Sequence, residues 1–331
     1  MKLDWQKLPR PIIALSPMAD MTDSAFCRTV RSVISPPYQG GAGGGLPLIV
    51  FREMVSAEAV VRGSDKTLGM TEIHPDERPL VQQIFGSDPR AMAEAARIIE
   101  AEHHPEGFDI NMGCPVYKIV HNFNGAALMK EPKLASEIIQ AMKKVITVPL
   151  SVKIRLGWSE PTQCLDFIKT LEQAGADLVT IHGRTKCQGY SGQADWEMIG
   201  QAKRQVSIPV LCNGDIHKPE QIVEALNISG CDGVLIARGA LGNPWIFSQM
   251  HEVLAGRQPS VVSLEERLRV IRLHAKLHVE QYGEQGIRTF RKHLTWYFKG
   301  LPGAKHLRES LPTVSTLADL ERVLEEMKMA I

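Results

Sequence analysis

The 331-residue sequence has no apolar run approaching the roughly 20 residues that a membrane helix requires, and its first residues, MKLDWQKLPR, hold no apolar signal-peptide core. A cytoplasmic protein with no membrane partner is expected. The six cysteines, Cys27, Cys114, Cys164, Cys187, Cys212 and Cys231, include no pair at the short spacing of zinc or redox sites, so reduced thiols and no metal are expected. Net charge is only +1, so any case for a nucleic-acid partner must come from a local patch. No GxGxxG opens a helix after the first apolar run, which disfavours a doubly wound dinucleotide-binding sheet.

The sequence does contain ample material for a core. Hydrophobic residues make up 44% and charged residues 23%, ordinary for a globular protein, and the length suits one large domain with a small one. Apolar runs alternate with segments of helical spacing. The runs are Ile12 to Leu15, Leu46 to Phe51, Pro79 to Phe85, Gly107 to Met112, Leu150 to Ile154, Leu178 to Ile181, Pro209 to Cys212 and Gly233 to Ala237. Helices are predicted at 24–33, 53–61, 90–102, 132–145, 164–174, 196–204 and 219–226, the first capped by Thr22 or Asp23 and the third by Ser87 or Asp88. Pro36 to Gly45, with five glycines and two prolines, reads as a loop. Eight strand and helix units in roughly 240 residues match a (β/α)₈ barrel, a TIM barrel in architecture. Beyond Ser263 the strand signals stop, and 264–281, 287–298 and 317–329 have helical spacing. The division expected is a barrel domain over 1–255 and a C-terminal all-helical domain over 260–331.

Barrel enzymes carry their sites at the carboxyl ends of the strands. The residues found there are Pro17, Met18 and Ala19, then Gln83, Asn111 and Cys114, then Lys153 and Arg155, His182 and Arg184. Asn213, Gly214 and Asp215 follow the seventh strand, and Ala237, Arg238 and Gly239 the eighth. Loops after strands seven and eight of such barrels often hold phosphate, and Gly214, Gly239 and Arg238 suit that task. Lys153 points inward on an otherwise apolar strand, where an ammonium without a hydrogen-bonding ligand would be expensive. Cys114, between Gly113 and Pro115, is either a small buried hydrophobe or a thiol facing a cleft. A phosphorylated cofactor fits this set, and so does a phosphosugar.

The runs SPMADMTD (16–23), QIFG (83–86), DINMGCP with Lys118 following, VKIRLGW (152–158), HGRTKCQGYSG (182–192), NGDI (213–216), ARGALGNPW (237–245) and RKHLTWYFKGLPGAKHLR (291–308) together resemble the tRNA-dihydrouridine synthases. The resemblance spans nearly the whole chain. It implies FMN bound by Pro17, Met18, Ala19, Gln83, Lys153, His182, Asn213, Gly214, Asp215, Ala237 and Arg238. It further implies NADPH or NADH as transient reductant, Cys114 as proton donor to a uracil, Asn111 beside that base, and a monomer acting on tRNA. Asp20 departs from the family pattern, which usually has glycine there, and the glycine-rich segment 36–45 is longer than the family leads one to expect.

Between Ile287 and Arg308 stand six lysines and arginines, two histidines and no acidic residue, interleaved with aromatics. Such a segment suits tRNA contact through Arg291, Lys292 and Lys299, although the aromatics alone read as core. Arg184, Lys186 and Tyr190 are expected to line the entrance for a flipped base. The alternative activity is an FMN barrel oxidoreductase acting on a small pyrimidine or other metabolite, which leaves the basic helical segment unexplained.

Overall fold

The computed structural model describes residues 3–34, 47–299 and 310–330. The glycine-rich segment and the stretch 300–309 of the basic run lie outside the described residues. Eight strands, β1 (Ile12–Leu15), β2 (Leu48–Ser56), β3 (Leu80–Phe85), β4 (Gly107–Met112), β5 (Leu150–Arg155), β6 (Leu178–His182), β7 (Val210–Asn213) and β8 (Gly233–Ile236), pair in chain order, all parallel. Pairing of β8 with β1 closes the barrel.

The helices of the barrel are α1 (Ser24–Ser32), α2 (Ala57–Val61), α3 (Asp65–Gly69), α4 (Pro89–His103), α5 (Tyr117–Val120), α6 (Pro132–Lys143), α7 (Gln163–Ala174), α8 (Trp196–Lys203), α9 (Gln221–Ser229) and α10 (Ile246–Leu254). Side chains alternate along each strand, so Ile13, Leu15, Val152 and Ile154 face the helices, while Ile12, Ala14, Ile49 and Phe51 fill the barrel. Trp5 joins that interior layer, stacked against Phe51 at 6.0 Å between ring centroids. The apolar filling belongs to the amino-terminal half of the barrel. Its carboxyl-terminal half is lined by polar side chains.

Most elements fall where the spacing puts them. One departure is β2, which continues through Ser56 where a helix is expected from Glu53. Val55 and Ser56 pair with Ile84 and Phe85 of β3 after a register shift beyond Arg52, and this pairing overrides the helix preference of the segment. Arg52 anchors the shift. Its buried guanidinium lies 2.5 Å from the buried Glu77 carboxylate and donates to the carbonyls of Met70 and Glu72. The helix α10 completes the eighth unit and is not anticipated by the sequence reading.

The remaining helices, α11 (Leu264–Tyr282), α12 (Ile287–Tyr297) and α13 (Leu317–Ala330), enclose a second core built on Leu268, Ile271, Phe290, Leu294, Tyr297 and Leu324. Of the aromatics expected as core, Phe290, Tyr297 and Phe298 are buried and Trp296 is half-buried. Contacts between α11 and α1 dock this bundle onto the first unit of the barrel.

Local capping can be tested directly. Asp88 caps α4, accepting from the amides of Arg90 at 2.7 Å and Ala91 at 3.2 Å. Asp88→Ala is expected to lower stability by about 1 kcal/mol in denaturant unfolding with an unchanged slope.

Candidate active site

The polar half of the barrel follows from register. Gln83 pairs with Asp109, Asn111 with Lys153, and Lys153 with Thr180, while Arg155 pairs with His182 and His182 with Asn213. One ring of neighbouring strands therefore aims its last inward side chains at one mouth. They line a cavity of ≈ 330 Å³. Pro17, Met18 and Ala19 enter it from the β1 loop, Cys114 from the β4 loop, Tyr190 from the β6 loop, Asn213, Gly214 and Asp215 from β7, and Ala237 with Arg238 from β8.

On one side a chain of hydrogen bonds fixes the cysteine. Ser151 Oγ donates to Asp109 Oδ1 at 2.7 Å, and Gln83 Nε2 donates to Asp109 Oδ2 at 2.6 Å. Asn111 Nδ2 then donates to Gln83 Oε1 at 2.9 Å, and Asn111 Oδ1 accepts from the amides of Gly113 and Cys114 at 3.1 and 2.9 Å. The second Asn111 amide hydrogen faces only the Met54 sulfur, a weak acceptor. Asn111 thus holds the turn that presents Cys114, with little bonding capacity left for a base. Burial raises Asp109 to about 6, against the pull of Ser151 and Gln83. Arg155 braces the same turn by donating to the Gly113 carbonyl at 2.8 Å and to the carbonyls of Thr185 and Gly189.

Cys114 itself is half-buried at the cavity wall. Desolvation pushes its thiol up from the ordinary value, offset by the Val116 amide and the charges of Arg155 and Lys153. The group is therefore held in its protonated thiol form at neutral pH.

On the neighbouring strand stands Lys153, whose exposed surface faces the cavity. Its ammonium has one long hydrogen bond, to Asn213 Oδ1 at 3.3 Å, and burial together with Arg155 depresses it to about 8. Asn213 Oδ1 also meets His182 Nδ1 at 2.9 Å, and Asn213 Nδ2 donates to the Leu235 carbonyl at 2.6 Å. Desolvation, with Lys153 and Arg155 nearby, lowers His182 to about 3, so the ring is neutral, and its buried Nε2 has no partner among the described residues.

At the loops after β7 and β8, Gly214 takes φ +121, a backbone conformation that favours glycine. At Gly239 a Cβ would stand 2.3 Å from the Ile216 carbonyl oxygen. Its bare backbone lets these two loops touch each other, so the close approach it secures is between loops. Asp20 keeps a glycine-like backbone at φ 62, its amide held by Glu53 Oε2 at 2.7 Å.

Two expected entrance residues sit elsewhere. Arg184 is buried and forks onto Asp215, at 3.0 and 2.6 Å, with further bonds to the carbonyls of Ser191 and Gly192. It shapes the loop, because its donors are consumed inside the protein. Lys186 lies beyond the cavity lining, 4.4 Å from the centre of the Trp158 ring, whose neighbourhood Lys130 shares at 4.7 Å. Tyr190 is exposed and lies under Arg238 at 4.8 Å. In the helical bundle Arg291 donates to the Val314 carbonyl, Lys292 lines a separate cleft beside Glu53, and Lys299 is exposed over Trp296. The Ser151, Asp109 and Gln83 chain and the brace from Arg155 were not read from the sequence as a unit. Inward parity of Asp109 and Ser151 was the available signal.

The family model described as Dihydrouridine synthase (Dus) matches residues 13–331. A probable tRNA-dihydrouridine synthase of Rickettsia conorii is 37% identical over 95% of this chain and 92% of its own length. A protein of the same description from Mycobacterium leprae is 36% identical over 96% of this chain and 88% of its length. Among solved structures, the old yellow enzyme homologue from Zymomonas mobilis aligns with a TM-score of 0.50 and 11% identity, over 80% of this chain and 96% of that one. A 2-naphthoyl-CoA reductase aligns with a TM-score of 0.55 and 12% identity, covering 78% of this chain and 53% of the longer reductase. At these identities the two structures speak for the fold.

Proposed function

This chain belongs to the dihydrouridine synthase family, and from that premise we propose that it reduces uridines in tRNA to 5,6-dihydrouridine, with FMN as cofactor, NADPH or NADH as transient reductant and Cys114 as proton donor. The observation that carries the reading is the placement of Cys114 and Lys153 on one cavity, with the cysteine's backbone fixed by Asn111. The residues present fit a flavin. Lys153 has bonding capacity directed into the cavity, the buried His182 Nε2 lacks a partner, and Arg238 stands beside the loops after β7 and β8. When bound, the reduced flavin supplies hydride to carbon 6 of the uracil.

The Cys114 thiol gives its proton to carbon 5 of the same ring, which balances the addition across the double bond. Arg155 and Asn111 keep that thiol in place, and the raised thiol value keeps the proton available. A uridine within folded RNA reaches such a cavity only when turned out of its stack, at a cost of a few kcal/mol. Tyr190, exposed at the cavity wall, offers that base a ring. Lys130 and Lys186 on Trp158, with Lys299 on Trp296, supply charge for the phosphate backbone. In this reading residues 1–255 carry the reaction and 260–331 hold the tRNA.

The test is incubation of the purified protein with NADPH and tRNA lacking dihydrouridine, followed by nucleoside mass spectrometry. Dihydrouridine is expected in amounts that grow with time and require NADPH or NADH. A flavin-loaded protein that consumes the reductant with a small pyrimidine and leaves tRNA unchanged would replace this reading with the small-metabolite one.

A further inference from the structure

One cluster of titratable side chains takes no part in the chemistry above. Asp23, His274, His278 and His293 meet where the first unit of the barrel touches the helical bundle, and each offers one ligand atom within 4.8 Å of the others. All four are buried, with at most 2% of their surface exposed. Asp23 is the cap of α1, where its Oδ1 accepts from the Phe26 amide at 2.9 Å. Its Oδ2 accepts from the Tyr282 hydroxyl at 3.2 Å. His274 and His278, four residues apart on α11, share one helix face, and His293 comes across from α12.

The hydrogen bonds around these rings leave three nitrogens bare. His274 Nε2, His278 Nδ1 and His293 Nε2 are buried with no hydrogen-bond partner among the described residues. For His278 the tautomer can be deduced. Thr289 Oγ1 donates to the Gly286 carbonyl at 2.9 Å, so at 2.8 Å it accepts from His278 Nε2, which carries the proton. In the neutral ring Nδ1 then holds a lone pair, and it lies 3.4 Å from Asp23 Oδ2. A nitrogen lone pair and a carboxylate oxygen at that distance repel each other unless a cation stands between them. His274 is held in the same manner, with Nδ1 at 3.1 Å from the Tyr297 hydroxyl and Nε2 free. Outer hydrogen bonds of this kind orient metal-ligating imidazoles.

We propose that Asp23 Oδ2, His274 Nε2, His278 Nδ1 and His293 Nε2 bind a divalent cation, with Zn²⁺ the metal that suits three imidazoles and one carboxylate. Four protein ligands leave no open position, so the site is structural and clamps the loop after β1 to α11 and α12. Neutral imidazoles are what such a cation requires. Burial lowers His274 well below its ordinary value and His293 to about 3.

The test uses the full chain, expressed with zinc in the medium and dialysed against metal-free buffer. Elemental analysis is expected to find about one zinc per chain, and X-ray absorption a shell of imidazole nitrogens and one oxygen without sulfur. Asp23→Asn, which keeps the helix cap, and His293→Gln are expected to reduce zinc to below about a tenth per chain and to abolish the rise in melting temperature that zinc gives the chelated wild-type protein. Wild-type protein free of any transition metal after this treatment would overturn the site, leaving a proton on His278 as the cation opposite Asp23. Sulfur in the metal shell, or full zinc retention by folded variants, would overturn it equally. Should both variants fail to fold, the stoichiometry and ligand shell of the wild-type protein decide alone.

Discussion

Cys114→Ala is expected to keep its flavin and to lose uridine reduction by about 10²- to 10⁴-fold, the usual contribution of a positioned general acid. The substitution removes one sulfur from a half-buried wall of the cavity, while the turn that carries it is fixed by main-chain bonds to Asn111 Oδ1 and from Arg155. The hydrogen bonds that join Lys153, Asn213 and His182 do not involve the thiol. Flavin absorbance and the rate of flavin reduction by NADPH are therefore expected at wild-type values, and single-turnover formation of dihydrouridine is the quantity that falls. The pH dependence provides a second check. Because burial raises the thiol, wild-type turnover should hold through neutral pH and decline only above the ordinary thiol range, where the proton is lost. Turnover of Cys114→Ala at the wild-type rate would place the proton donor elsewhere.

The barrel was legible because each unit repeats the same local pattern, an apolar run followed by helical spacing, and alternation along a strand needs only neighbours in sequence. The strand ends that line the cavity were legible for the same reason. What local reading missed depends on partners far apart. The helix expected from Glu53 gave way to strand because Val55 and Ser56 found Ile84 and Phe85, about 30 residues on. Arg184 is expected at the entrance because it lies on the loop after the sixth strand, yet Asp215 on the next strand's loop draws it inward. Gly239 looked like a phosphate contact, and its bare backbone is needed against Ile216. The buried histidines show the same limit. His274 and His278 are visibly four apart, but nothing local connects them with His293 or with Asp23 at the other end of the chain.

Lys153→Met, which keeps the unbranched stem to Cε and removes the ammonium, is expected to weaken flavin binding about 10- to 100-fold, the range of one charge-assisted hydrogen bond. Among the described residues the ammonium bonds only Asn213 Oδ1, at 3.3 Å, and burial with Arg155 lowers it to about 8. A flavin acceptor facing Lys153 favours the charged form, so the lysine of the loaded protein titrates higher than that of the empty one. Linkage then fixes the sign. Below about pH 8 the lysine is charged with or without flavin, and its contribution to affinity is constant. Above that value binding must take up a proton, and affinity falls by up to tenfold per pH unit until the lysine of the loaded protein also titrates. Groups of the flavin itself contribute their own slopes, which the variant retains. The difference between wild-type and Lys153→Met titrations is thus expected to be flat on the acid side of about pH 8 and to shrink on the alkaline side. Equal affinities at all pH values would remove Lys153 from the cofactor site.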